Sequence, residues 1–267
     1  DEITYTQEYE VNVCSVEEIV VYDFVLNSSR ETQNLQKLFA LNSTFNYENL
    51  VVKAKCLLPE TTDQYIEFVL TAEEFTVTTP TLDTLGNKSV SVVYGRDETV
   101  VGNYDIEVVA VPDLSAATEV VVTVNPQAEI NTADNYNLHT INDALQFLKL
   151  AGVADNATKT ISLMKNTVYK EKVEITMPNI VLTTGNLDMS TEFDFTYENA
   201  KPLYDSLAVI EFDALNGLLD PSEKVSYSTD GSATVSVRPS AENFKAEFVT
   251  FKNTYNTAEL YEEAKIV

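Results

Sequence analysis

Between residues 1 and 126 apolar side chains recur at every second position, in short runs rich in β-branched and aromatic residues. Ile3-Thr4-Tyr5, Tyr9 to Val13, Ile19 to Val21, Leu50 to Ala54, Ile66 to Leu70, Phe75 to Val77, Val90 to Tyr94, Tyr104 to Val109 and Val120 to Val124 share this character. A period of two puts alternate side chains on opposite faces of a strand, so one face can be buried and the other solvated. Turn signals at Leu85-Gly86-Asn87 and Val101-Gly102-Asn103 separate the runs. Short antiparallel strands at this spacing predict a β-sandwich over residues 1–126. The opening strand, within residues 1–13, also fits as the last strand of a domain upstream.

The period then changes. Residues 127–137 are polar and rich in Asn, the composition of a linker. Thr140 is placed to cap a helix, with Asp143 three residues on to complement the free amides. Ile141, Ala144, Leu145 and Leu148 fall on one helical face, and Gly152 can end the helix in a left-handed conformation. After it come short alternating runs: Ile161-Ser162-Leu163, Val173-Glu174-Ile175 and Ile180-Val181-Leu182, with Tyr169 and Glu171 expected in a turn between them. A helix covering the first of many very short strands predicts the start of a right-handed parallel β-helix over residues 138–267. The expected fold class is therefore all-β: a sandwich, a linker, then a β-helix start with a short capping helix.

This second part resembles the N-terminal portion of the pectin methylesterase (pectinesterase) catalytic domain. Thr140 to Leu145 matches the family's opening helix of Thr-Ile-x-x-Ala-Leu type, and Tyr169 with Glu171 matches its Gly-x-Tyr-x-Glu signature, with Thr167 in place of the Gly. Gly231 to Val237 and Phe251-Lys252-Asn253-Thr254 resemble its Ser-Ala-Thr strand and Thr-Phe-x-Asn-Thr turn. The pair suits the esterases better than the pectate lyases or polygalacturonases. The resemblance implies Tyr169, Glu171 and Thr234 as substrate-groove candidates and pectin as the polysaccharide partner. The family's catalytic residues lie in later runs (Gln-Ala-Val-Ala-Leu, Gln-Asp-Thr-Leu, Asp-Phe-Ile-Phe-Gly and Leu-Gly-Arg-Pro-Trp), none of which occurs here. De-esterification needs a nucleophilic carboxylate, an acid/base and oxyanion donors. No residue takes those roles by motif, so the expectation is a chain without catalytic residues of its own and without a cofactor.

Residues Tyr47 to Ala54, Leu70 to Val77 and Gly86 to Gly95 resemble bacterial Ig-like domains of secreted surface proteins, with Pro59 and Glu60 in place of the usual Asp-Gly hairpin turn. That implies a secreted or cell-surface bacterial setting. An adhesive or architectural module with no enzymatic role is the competing expectation.

Charge narrows the partners. Lys+Arg of 17 against Asp+Glu of 42 leaves a net charge of −25 and a pI near 4.2, a field that repels nucleic acid and anionic membrane surfaces. Demethylated pectin, a polyanion, is repelled in the same way. No apolar segment is long enough for a spanning helix. Cys14 and Cys56 allow one disulfide or two free thiols, and the single His139 has no Ser or Cys motif beside it. The stretch 186–207 is expected as an insertion between coils. Its Asp188, Glu192 and Asp194 offer oxygen ligands to Ca²⁺, but their spacing matches no calcium loop and a solvated loop is the plainer account. Tyr197 and Tyr204 there offer rings to a sugar. Finally, Phe244, Phe248, Val249 and Phe251 are expected at the open end of the stack, with 258–264 as a helical cap over it. An inadequate cap would expose an apolar end able to drive self-association.

Overall fold

The computed structural model describes residues 14–26, 32–47, 49–59, 61, 64–187, 197–213 and 233–254. The chain is all-β, with two helices among the described residues. The strands expected at residues 3–5 and 9–13 and the helix expected at 258–264 lie outside them.

The first half forms two main sheets. One is antiparallel throughout, with β5 (Val51–Leu57) central between β1 (Ser15–Tyr22) and β6 (Tyr65–Val69). The hairpin β2 (Phe24–Leu26) and β3 (Thr32–Asn34) follows β1. The other sheet runs β4 (Leu38–Ala40), β9 (Val101–Val109), β8 (Gly86–Tyr94) and β7 (Phe75–Val77), with β4 parallel to β9 and the rest antiparallel. Ile19, Val52 and Ala54 of the first sheet share one core with Phe39, Val90, Val92 and Ile106 of the second. The period-two pattern is kept here: Val90, Val92 and Tyr94 are buried while the residues between them are more exposed. Gly102 lets β1 close onto β9, because a Cβ there would sit 3.0 Å from the Ile19 carbonyl oxygen.

The second half is built from parallel strands. From β12 (Thr158–Leu163) the chain passes through β13 (Val168–Lys170), β14 (Val173–Ile175) and β15 (Ile180–Thr184), then α2 (Tyr197–Ser206). It continues through β16 (Ala208–Phe212), β17 (Val235–Val237), β18 (Lys245–Glu247) and β19 (Val249–Asn253). Strand β12 pairs with β15 and β15 with β18; β13 pairs with β16 and β16 with β19; β14 pairs with β17, all parallel. The chain thus visits three sheets in a fixed rotation and lays each pass against the last. Ile161, Leu163, Tyr169, Val173, Ile175, Ile180, Leu182, Ala208 and Ile210 point inward to form its core.

Strand β10 (Glu119–Val124), grouped by sequence with residues 1–126, pairs in parallel with β12 and with β11 (Asn137–Leu138). The pairing therefore runs across the boundary expected at residue 126. Alternation alone does not reveal a strand's partner, and Val120, Val122 and Val124 bury themselves in the second core. Helix α1 (Ile141–Leu150) covers that core through Ile141, Ala144, Phe147 and Leu148. Its Thr140 side chain accepts from the Asp143 amide, and Gly152 follows it at φ 67°. The same core takes in Leu38 and Val109 from the first half. Phe24 meets Phe212 edge-on at 5.6 Å, and Asn34 Nδ2 donates to Asn142 Oδ1 at 2.9 Å.

The corners of the stack carry asparagines. Asn166, Asn179, Asn186 and Asn243 all take left-handed backbone angles, φ 56–59°, which Asn tolerates better than other non-glycine residues. Asn243 Nδ2 donates to Asn179 Oδ1 at 3.0 Å, and Asn179 Nδ2 donates to the Asp155 carbonyl at 2.7 Å. Amides at one corner are thus tied to the pass before.

Candidate binding cleft

The side chains of the three groove candidates are each engaged within the fold. Tyr169 is strand rather than turn: it is the central residue of β13, it is buried, and its hydroxyl donates to the Val124 carbonyl at 2.6 Å while accepting from the Met164 amide at 2.9 Å. It bolts β10 to the stack and presents nothing to a groove, because the inward position of a three-residue strand leaves the ring no other direction. Thr234 is also buried, and its hydroxyl donates to the Lys252 carbonyl at 3.0 Å, one pass further on.

Glu171 caps α1. Its two carboxylate oxygens accept from the amides of Ile141 (3.0 Å) and Asn142 (3.1 Å) and from Asn142 Nδ2 (3.0 Å). A helix start leaves such amides without intrahelical partners, and a carboxylate there also meets the positive end of the helix dipole. Burial pushes the Glu171 carboxyl up to about 7, against the amides of Ile141 and Asn142, which pull it down. Burial likewise raises Asp143, opposed by Thr140, Lys37 and His139. With both oxygens engaged, Glu171 holds structure rather than attacking a substrate. His139 is equally occupied, its Nε2 lying 2.7 Å from the Ala128 carbonyl.

Buried charge in the stack is also spent on the fold. The fully buried Lys159 donates to the carbonyls of Asp155, Ala157 and Pro178 at 3.0–3.1 Å, and burial lowers its pKa. Arg238 holds the buried Glu174 at 2.5 Å across β14 and β17. Lys172 donates to the Ala233 carbonyl at 2.9 Å.

Cys14 and Cys56 are free thiols, Cys56 buried. Burial and the neighbouring Cys14 push the Cys56 thiol up to about 11. Among the described residues no group of three His, Cys, Asp or Glu is placed to hold a metal. Asp188, Glu192 and Asp194 lie outside those residues. Tyr204, on α2, is 65% exposed. At the end of the stack a 250 Å³ hollow is lined by Thr234, Phe244 and Phe251, with Phe248 and Phe251 exposed.

A larger cavity lies elsewhere. A cleft of 690 Å³ opens between β8–β9, at Gly86 and Glu107 to Ala110, and the segment from Asn125 to Asn137. That segment, expected as a linker, is held in place by its own side chains. Asn125 Oδ1 accepts from the Gln127 amide, Asn131 Oδ1 from those of Ala133 and Asp134, and Asn137 Nδ2 donates to the Glu129 carbonyl. Leu85 and Ile130 supply apolar wall. Glu107 lines it too, its carboxyl raised by burial and drawn back by His139. The volume is that of a small-molecule site. Sequence reasoning missed it because the signal, a run of asparagines between strands, reads the same for a loose linker and for a wall of capped turns.

Among the family models, curated proteins and solved structures compared with the chain, none matches it.

Proposed function

We propose that the chain is a polysaccharide-binding, non-catalytic section of a secreted or cell-surface bacterial protein. In this reading the first half is an Ig-like sandwich, and the parallel stack is a right-handed β-helix of the pectin methylesterase kind, retained as scaffold. The observation that carries it is the fate of Tyr169 and Glu171. The two side chains that most resemble the esterase signature have every polar atom engaged by backbone or by Asn142. A wide cleft lined by asparagines, apolar residues and the carboxylates of Glu107 and Glu129 supports binding in place of chemistry. The ligand that the resemblance suggests is methylated pectin, since the net charge of −25 disfavours the demethylated polyanion.

The test is paired. The full chain should be retained on highly methylated pectin in a pull-down and release no methanol from it above a blank. Methanol release that follows the chain through purification would overturn the reading, and so would failure to bind any polysaccharide. A second reading, end-to-end assembly, draws on the exposed Phe248 and Phe251. It expects concentration-dependent light scattering that a Phe248→Asp variant abolishes.

A further inference from the structure

We propose that the cleft between β8–β9 and residues 125–137 is the binding site, and that it selects an uncharged, hydroxyl-rich ligand: a neutral oligosaccharide segment. This rests on reading the chain as a binding module, though not on pectin as its target.

The selection follows from which polar atoms remain. Asn125 and Asn131 use their Oδ1 atoms on turn amides, so each is left with its Nδ2 donors. Asn137 uses Nδ2 on the Glu129 and Asn125 carbonyls, which leaves its Oδ1 as an acceptor, and Glu107 lines the same cleft. The wall therefore mixes donors with acceptors. A metal ion needs a shell of oxygens, and the Nδ2 groups cannot supply it. An anion would meet Glu107 and Glu129 with no Lys or Arg in the lining. A hydroxyl donates and accepts at once, so a row of hydroxyls can satisfy both kinds of atom. The C–H faces of sugar rings would then lie on the exposed Leu85 and the half-buried Ile130.

Three probes separate the possibilities by calorimetry on the full chain: fully methyl-esterified galacturonan oligomers, the same oligomers de-esterified, and neutral xylo- and cello-oligosaccharides. Ala110 and Ala133 are exposed residues lining the cleft, so Ala110→Trp or Ala133→Trp should fill it without touching a core. At least one neutral oligomer should bind, de-esterified galacturonan at least about ten-fold more weakly. Either Trp variant should weaken binding by about ten-fold or more. Glu107→Gln should narrow the gap between esterified and de-esterified oligomers. Equal binding of the de-esterified oligomer, or neutral-oligomer binding unmoved by both Trp variants, would overturn the proposal. Xylo- or cello-oligosaccharide binding lost in the Trp variants, with no galacturonan binding, would uphold the cleft and remove pectin as its ligand. Galacturonan binding that survives both Trp variants would do the reverse.

Discussion

The two halves differ in how they accommodate polar groups. In the antiparallel half most charged side chains stand outside the sheets: Lys55 with Glu18 and Arg96 with Glu74 are ion pairs with substantially exposed members, and the buried Lys53 of β5 reaches outward over the Tyr22 ring toward the half-exposed Glu67. The parallel half takes charge inside, with Lys159 fully buried and Glu174 held by Arg238. The difference comes from the corners. Antiparallel strands turn back through hairpins at the surface, whereas a stack of parallel strands must turn the chain between short rungs with carbonyls facing inward or along the stack. Such carbonyls need donors where no water reaches. Lys159 and Lys172 supply them, and at an exposed corner Asn179 Nδ2 donates to the Asp155 carbonyl. Polar residues that look misplaced in the second half are therefore part of its architecture.

The largest test of this contrast is Arg238→Ala. It removes the Arg238 guanidinium from the buried Glu174 carboxylate and should cost about 3 kcal/mol in denaturant unfolding. The corresponding change in the first half, Arg96→Ala, should cost less than about 1 kcal/mol. Equal effects would erase the distinction. Next comes Lys159→Met, which removes the donor to three carbonyls while keeping most of the volume. A loss of about 2 kcal/mol is expected.

Glu171 sharpens the comparison through pH. Its carboxyl stands at about 7 in the folded chain against an ordinary value of 4.5. The folded state thus binds the proton more tightly, so the contribution is fully present below 4.5 and is lost as pH rises through about 7. Asp143 and Glu107, also raised by burial, act in the same direction. Stability measured between pH 4.5 and 8 should fall by on the order of 3 kcal/mol from Glu171 alone, and Glu171→Gln should flatten the slope by that amount. An unchanged slope would mean that the three N–H donors hold the carboxylate ionised throughout.

Smaller effects are expected at the corners. Asn243→Ala should cost about 1–2 kcal/mol, through the left-handed backbone and the lost bond to Asn179. Asn243→Gly should restore the backbone part. Least of all, Cys56 should stay unreactive to a thiol reagent at neutral pH until the chain unfolds, since burial keeps it as the thiol. Rapid labelling of the folded chain would show the first sheet to be looser than its packing suggests.

Much was legible from residue order alone. Period-two runs located most strands, and Thr140, Asp143 and Gly152 marked both ends of α1, because capping and alternation are local and need no partner. Tyr169 and Glu171 stood out as a pair for a reason the sequence could not disclose. Their partners, Val124, Met164, Ile141 and Asn142, are brought to them by the stacking of passes. The assignment of β10 to the parallel sheet, the conversion of an Asn-rich linker into a cleft wall, and the second-pass partner of Asn179 were likewise decided only in three dimensions. Local patterns determine which face of an element is apolar. Which other element covers that face depends on contacts between residues far apart in the chain, Glu174 and Arg238 being 64 positions apart, and no local period records them.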